Sequence, residues 1–300
     1  MKRFKLILPK VFDGVLSEFG YYTVFRMNKK KDVIHERKIR YSEDDPRLYL
    51  HICKPKKEIE GKLPISIYIH GGGYMTGRPS HRDAYVSQFA SHGHLVINVY
   101  YGLSPRYAHP VPIQNIYKAL AWVIDNADKY NGDIEKVYLH GDSAGAYFCT
   151  ALGAISIDSE VKEYFQVDEK SKDMKFAGMF LNCGIYDFEK MLESGFRFID
   201  RYAWAYYQKP LDKLAEDKDS KYLSPVRFIN KDFPKCFVIT ASKDRASVGG
   251  YELVEQLKEN NVPCEHYEGD GFFGVHAFAV VQAFDITKEA MKRMFAFLET

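Results

Sequence analysis

The sequence predicts an α/β protein with a doubly wound, mostly parallel sheet and a helical cap. Short apolar runs alternate along the chain with longer amphipathic runs, two glycine-rich turns each follow a predicted strand, and one long aromatic insertion interrupts the alternation. The predicted strands are residues 34–40, 47–53, 65–69, 95–100, 137–140, 176–182, 236–241 and 264–267. The predicted helices are residues 82–92, 113–127, 144–155, 248–260 and 279–298.

Length, charge and hydropathy indicate a single domain with neither nucleic acid nor a membrane as a partner. A chain of 300 residues suits one large α/β domain, residues 1–300, with an insertion. The net charge of +2 gives no strong field, so nucleic acid is not expected as a partner. The sequence has no run of about 18 apolar residues, so no membrane span is expected either.

The cysteines and the first residues predict a cytoplasmic protein. The N-terminus lacks a long apolar stretch of the secretory type because Lys5, Pro9 and Lys10 interrupt it. The five cysteines are odd in number and scattered, form no CxxC pair and show no metal-ligand spacing, so we expect free thiols and no metal. They are Cys53, Cys149, Cys183, Cys236 and Cys264.

A candidate nucleophile lies in the segment GDSAG, residues 141–145. A short β-branched strand precedes it and a small-residue helix follows it. The pattern G-x-S-x-G is typical of a sharp strand-to-helix turn that presents a serine hydroxyl at the top of an α/β sheet. The alternative without a catalytic role is a βα turn that has glycines on both sides and an incidental serine. The strand before the motif and the helix after it favour Ser143 as a nucleophile instead.

A second glycine cluster, HGGG at residues 70–73, follows the strand predicted at 65–69. Consecutive glycines let the backbone approach a ligand, and their N–H groups can bind the oxyanion of a tetrahedral intermediate. A phosphate loop is the alternative, but neither GxGxxG nor GxxxxGK[ST] spacing follows. We therefore predict an oxyanion hole formed by the N–H groups of Gly71, Gly72 and Ala144.

With both motifs in this order, the chain resembles the hormone-sensitive-lipase-like carboxylesterases of the α/β-hydrolase fold. The resemblance extends from about residue 63 onward and includes residues 101–105, YGLSP, and residues 276–278, HAF. Gly102, Arg106, Ala277 and the residues after Asp244 depart from the family pattern. The resemblance implies an α/β-hydrolase sheet, a serine hydrolase activity and a catalytic triad.

The histidine and the acid of such a triad follow the serine in the order Ser, Asp/Glu, His. Of the two downstream histidines, His266 lies in a predicted strand, whereas His276 lies in a glycine-rich loop and matches the family motif. Asp187 and Asp244 both follow predicted strands, where open α/β sheets place functional side chains. Residue reasoning leaves both acids open, and the resemblance selects Asp244.

Two other aspartates have weaker claims. Asp270 lies in the loop of the histidine and is a third candidate for the acid. Asp142, beside the serine, is expected to brace the turn through hydrogen bonds. In the predicted mechanism Ser143 attacks an ester carbonyl, His276 transfers the proton and Asp244 orients the imidazole, so no cofactor is needed.

A long insertion separates the strands at 176–182 and 236–241. Residues 185–232 carry many aromatic side chains, and a connection of this length inside a compact domain is usually functional. We predict that it forms a cap together with residues 1–30, as in relatives. The rings either close over the pocket, which would restrict substrates to short and medium acyl chains, or form the core of the insertion itself.

Three functions remain open from the sequence. The first is a serine carboxylesterase acting on small esters, and the second is a deacetylase of acetylated sugars or an amidase with the same triad. The third is a ligand-binding protein on the same scaffold, which is disfavoured because such proteins lose the histidine that this chain keeps. The oligomeric state is open, and bacterial relatives suggest a homodimer.

Overall fold

The computed structural model describes residues 7–23 and 26–300 and contains one eight-stranded sheet of order β1-β2-β4-β3-β5-β6-β7-β8. Strands β3 to β8 pair in parallel, whereas β2 pairs antiparallel with both β1 and β4. The strands are β1 (Val33–Arg40), β2 (Tyr49–Pro55), β3 (Leu63–Ile69), β4 (Leu95–Tyr100), β5 (Gly132–Asp142), β6 (Gly178–Asn182), β7 (Cys236–Ala241) and β8 (Cys264–Gly269).

Helices cover both faces of the sheet, so the predicted doubly wound fold is confirmed. Strands β6 and β7 are buried along their whole length, as expected for parallel strands covered on both sides. The helices are α1 (Ile7–Thr23), α2 (Asp83–Ser91), α3 (Val111–Asn126), α4 (Ala144–Ile157), α5 (Ser159–Phe165), α6 (Phe188–Glu193), α7 (Ile199–Tyr207), α8 (Ser247–Glu259) and α9 (Asp285–Leu298).

Two hydrophobic clusters lie on opposite faces of the sheet because alternate strand residues point to opposite sides. Helices α3, α4 and α8 pack in the cluster that contains Ile65, Ile67 and Ile69. Helices α2 and α9 pack in the cluster that contains Tyr68 and Val96. Because β3 to β8 are parallel, their carboxyl ends lie at the same edge of the sheet, between the two helical layers, and the candidate site lies at this edge.

The predicted elements are all present, with shifted ends. The last helix begins at Asp285 rather than at residue 279, because a 3₁₀ turn (Phe278–Val280) follows the histidine loop. Helices α6 and α7, in the segment between β6 and β7, have only 6 and 9 residues, too short to show a helical period in the sequence. Of the predicted cap segments, residues 1–6 and 24–25 lie outside the described residues.

The described helices include none that is both long enough and apolar enough to cross a membrane.

Candidate active site

Ser143 lies at the turn between β5 and α4, in a backbone conformation that side chains rarely adopt. Its φ and ψ are 53° and −119°, a strained region for a residue other than glycine. The neighbouring Gly145 has no room for a side chain, because a Cβ there would overlap the carbonyl oxygen of Ile69 on β3. The strand and helix thus meet closely enough to hold the hydroxyl out on a strained turn, as in a nucleophile elbow.

His276 links this serine to Asp244. Its Nε2 lies 2.9 Å from Oγ of Ser143, and its Nδ1 lies 2.7 Å from Oδ2 of Asp244. His276 comes from the loop between β8 and α9 and its side chain is 29% exposed, whereas the Asp244 side chain, in the turn after β7, is 1% exposed. The other oxygen of Asp244 accepts the N–H of Ala246 at 2.9 Å. The three residues predicted for the triad therefore form one continuous hydrogen-bonded chain.

Asp187, the alternative acid, has a different environment. Its carboxylate caps α6, accepting the N–H groups of Glu189 and Lys190 at 2.9 and 3.1 Å, and also accepts Nε of Arg227 at 2.9 Å. No hydrogen bond joins it to His276 in the described part of the chain. Asp187 therefore acts as a helix cap.

Asp270 and His266, the other candidates for the acid and the histidine, form hydrogen bonds outside the triad. The exposed Asp270 accepts the hydroxyl of Ser242 at 2.7 Å. His266 lies on β8, with Nε2 at 2.8 Å from the hydroxyl of Thr240 on the adjacent strand. Both side chains contribute to local structure beside the sheet edge.

Asp142 joins the two glycine motifs. Its carboxylate accepts the N–H of Gly71 at 3.1 Å, the hydroxyl of Tyr68 at 2.6 Å and two guanidinium N–H groups of Arg82 at 2.9 and 2.6 Å. Burial alone would raise the pKa of Asp142, but the Arg82 charge and these hydrogen bonds outweigh it and hold the pKa at about 2. Asp142 is therefore a buried anion that ties the HGGG loop to the serine turn. No motif or spacing in the sequence indicated Arg82.

Of the residues predicted for the oxyanion hole, Gly72 and Ala144 line the pocket, whereas Gly71 does not. The N–H of Gly71 is occupied by Asp142, and the pocket is lined instead by Gly72 and Gly73, next to Ala144. Gly72 has a φ of +127°, and a Cβ there would meet the backbone of Thr76. Among the described residues, no acceptor pairs with the backbone N–H groups of Gly72, Gly73 or Ala144.

A pocket of about 220 Å³ opens beside Ser143 and is mostly apolar. The ring of Phe196 lies 4.8 Å from the ring of His276, and the ring of Tyr202 packs against Gly73. From the insertion the pocket is lined by Ile185, Met191, Phe196, Ile199 and Tyr202, and from the rest of the chain by Ala246, Val280 and Val281, among others.

Most aromatic rings of the insertion face away from this pocket. Tyr206 is fully buried, stacks on Tyr74 at 4.5 Å and contacts Tyr147. Phe188 packs against Tyr207. A few rings of the insertion therefore face the pocket, whereas others pack within the insertion or against the rest of the chain.

Cys183, at the end of β6, also lines the pocket. Its side chain is buried and its φ is 52°. One ligand atom from each of Cys183, Asp244 and His276 lies within 4.8 Å of the other two, a geometry that could hold a metal ion. Because these residues come from three distant parts of the sequence, no spacing motif could have indicated the group.

The sheet, the strained serine turn and the hydrogen-bonded triad define the class of protein, and comparison identifies the family. Residues 66–280 match a family with the alpha/beta hydrolase fold, and the chain belongs to this family. This result confirms the resemblance and the fold class inferred from the sequence.

Three similar proteins illustrate the relationship. Esterase LipC of Mycobacterium tuberculosis is 26% identical over 214 residues, which cover 70% of this chain and 51% of LipC. An acetyl esterase of Salmonella choleraesuis is 25% identical and covers 70% of this chain and 64% of its own length. The crystal structure of esterase B from Lactobacillus rhamnosis superposes with a TM-score of 0.83 at 24% identity, covering 95% of this chain and 90% of that one. The chain therefore spans about half to two thirds of these two curated relatives.

Proposed function

We propose that the protein is a serine carboxylesterase that hydrolyses small esters with short to medium acyl chains. The observation that carries this proposal is the chain of hydrogen bonds from Ser143 through His276 to the buried Asp244, at a strained turn beside an apolar pocket. The similarity to esterase LipC and to the Salmonella acetyl esterase supports the same reaction class.

In this mechanism Ser143 attacks the ester carbonyl while His276 accepts its proton through Nε2. His276 then gives this proton to the leaving alcohol, and Asp244 holds the imidazole in the tautomer that leaves Nε2 unprotonated. Water repeats the sequence on the acyl-enzyme and releases the acid. The 29% exposure of His276 leaves a route for water and alcohol.

The oxyanion of the tetrahedral intermediate would be bound by the N–H groups of Gly72, Gly73 and Ala144. This revises the set predicted from sequence, because the N–H of Gly71 already donates to Asp142. Gly71 and the Arg82–Asp142 ion pair support the loop from behind. Each donor to an oxyanion is worth about 3 kcal/mol of transition-state stabilisation.

Ester hydrolysis and covalent labelling test the nucleophile. Ser143→Ala should lower kcat on an aryl ester by about 10⁵–10⁶-fold and abolish labelling by a fluorophosphonate probe, since triad members act as a unit. Ser242→Ala, which removes an exposed hydroxyl outside the pocket, is the matched control and should keep both. Equal labelling of the Ser143→Ala protein would exclude Ser143 as the nucleophile.

We further propose that residues 185–232, with the segment about 1–30, form a cap on the single domain and limit the acyl chain. Met191, Phe196, Ile199 and Tyr202 contribute to a pocket of only about 220 Å³. Phe196 closes this pocket on the side of the catalytic histidine, with its ring 4.8 Å from that of His276.

A series of esters of increasing acyl length tests the cap. We expect kcat/KM to fall for acyl chains longer than about six to eight carbons. Phe196→Ala should raise kcat/KM on these longer esters by about 0.8 kcal/mol, or fourfold, for each added CH₂ that becomes buried. Phe198→Ala, which removes a ring of the insertion that does not line the pocket, should leave the dependence of kcat/KM on acyl length unchanged. A wild-type rate that rises steadily to 12 carbons would contradict a closed cap, and sugar acetates and anilides in the same panel distinguish deacetylase and amidase activity.

A further inference from the structure

Three kinds of metal ligand meet at the carboxyl edge of the sheet. Cys183 follows β6, Asp244 follows β7 and His276 follows β8, so three adjacent parallel strands each supply one. A ligand atom from each lies within 4.8 Å of the other two. Cys183 is buried but is among the residues that line the pocket, and the side chain of His276 beside it is 29% exposed.

We propose that Cys183, Asp244 and His276 form a binding site for a soft divalent cation, Zn²⁺ or Cd²⁺, that inhibits the enzyme. Thiolate, carboxylate and imidazole are the ligands that zinc uses, and three protein ligands with a water in the fourth position are a common tetrahedral arrangement. A thiolate also favours soft ions over Mg²⁺ or Ca²⁺. Cation binding stands independently of the proposed function, and only the inhibition rests on it.

The site needs small movements to close around an ion. Bonds of about 2.0–2.3 Å place the ligand atoms of a tetrahedral site about 3.3–3.8 Å apart. The imidazole and carboxylate, now 2.7 Å apart, must separate by somewhat more than half an ångström, and the sulfur must approach. The loop position and 29% exposure of His276 permit such a shift.

The inhibition follows from the position of one proton. When the cation binds Nδ1 of His276, the Nδ1 proton is lost and the neutral imidazole carries its proton on Nε2 instead. The Cys183 thiol releases one proton to solvent, so binding of one cation releases one proton in total. With Nε2 protonated, His276 can no longer accept the proton of Ser143, and the nucleophile is not activated.

Two other thiols are competing sites and provide controls. Cys53 lies with Sγ 3.6 Å from Nε2 of His35 but has only that one neighbouring imidazole among the described hydrogen bonds. Cys264 is half-buried and is the most accessible of the five cysteines. Neither belongs to a group of three ligands in the described part of the chain.

Titration with Cd²⁺, followed by ultraviolet thiolate-to-cadmium charge transfer, tests the site. Wild type, Ser143→Ala, Cys53→Ser and Cys264→Ser should show saturable absorbance at one equivalent, and Cys183→Ser should lose it. The Ser143→Ala protein separates the two proposals, because it should bind Cd²⁺ whether or not the enzyme is an esterase. Absent saturation in wild type, or equal absorbance in Cys183→Ser, would overturn the site.

Inhibition is measured in parallel, relative to the uninhibited rate of each variant. Cd²⁺ or Zn²⁺ should inhibit wild type reversibly, with recovery on adding EDTA, and Cys183→Ser should need at least about tenfold more cation because one ligand is missing. Equal inhibition of both would overturn the mechanism. If Cys183→Ser fails to fold, zinc X-ray absorption on the Cys53→Ser/Cys264→Ser protein decides instead: one sulfur neighbour supports the site, and none overturns it.

Discussion

Two serine–histidine clusters in the described part of the chain have almost the same hydrogen-bond lengths and very different surroundings. In the Ser143 site, Oγ lies 2.9 Å from Nε2 of His276. In the Ser66 cluster, defined as Ser66, His94 and His140, the serine Oγ lies 2.9 Å from Nδ1 of His94 and 3.0 Å from Nε2 of His140. Distance alone therefore does not distinguish a nucleophile from a structural serine.

Three further features separate the two clusters. Ser66 is in the middle of β3 and 1% exposed, whereas Ser143 is on a strained turn that lines a pocket. A buried carboxylate orients His276, but no described carboxylate bonds to His94 or His140. Accessibility, backbone strain and a third group that fixes the imidazole thus distinguish Ser143 from Ser66, and the histidine and the third group can each be removed separately.

Removing the histidine of each cluster should give the largest difference in kcat between the two clusters. His276→Gln should lower kcat by about 10⁵-fold or more, because the base for Ser143 is lost. His140→Gln should change kcat less than about tenfold but lower the free energy of unfolding by about 1–3 kcal/mol, because buried partners lose their hydrogen bonds. Kinetics and urea unfolding on both variants measure this, and a similar kcat loss in His140→Gln would show that the Ser66 cluster takes part in the reaction.

Removing the charge of each candidate acid sharpens the role of the third group. Asp244→Asn should lower kcat by about 10⁴-fold, since the amide favours the wrong imidazole tautomer. Asp187→Asn should leave kcat almost unchanged and lower stability by about 1 kcal/mol or less, since asparagine also caps helices. The reverse ranking in steady-state kinetics would move the acid to the earlier strand.

Local patterns in the sequence predict most of the sheet and the serine turn. The glycines of GDSAG and HGGG are visible in sequence because close backbone approach leaves no room for side chains, as at Gly145 and Gly72. The central strands, such as β6 and β7, could be predicted because burial on both faces requires apolar runs. The edge strands β1 and β8 are only partly buried, so their sequences are more polar. The position of His276 follows from the order of strands, helped by the family resemblance.

Contacts between distant segments could not be predicted. Residue patterns did not separate Asp244 from Asp187, because both follow strands and only the fold shows that one of them caps a helix. The Arg82–Asp142 ion pair joins residues 60 positions apart. Asp142 also accepts the N–H of Gly71, so this N–H is not available to bind an oxyanion. Which rings of the insertion face the pocket depends on how α7 packs, and composition carries no such information.

The last comparison concerns acid stability, where the Ser66 cluster should matter. Burial lowers the pKa of His94 to about 4, and burial, together with the neighbouring His94, holds the pKa of His140 well below its usual value. In the unfolded chain a histidine has a pKa of about 6.5, so below that pH the unfolded state binds protons that the native state does not. Stability is therefore full above about pH 6.5 and falls as the pH approaches 4.

Urea unfolding at pH 8, 7 and 5 measures this loss. The free energy of unfolding should be similar at pH 8 and 7 as far as these histidines contribute, and then fall by up to about 1.4 kcal/mol per pH unit for each buried histidine. His94→Gln removes one titrating group, so its loss between pH 7 and 5 should be smaller than that of wild type by about 2 kcal/mol. If His94→Gln loses as much unfolding free energy between pH 7 and 5 as wild type does, then His94 is already protonated in the native core. The Ser66 cluster would then contain a charged histidine rather than a neutral hydrogen-bond network.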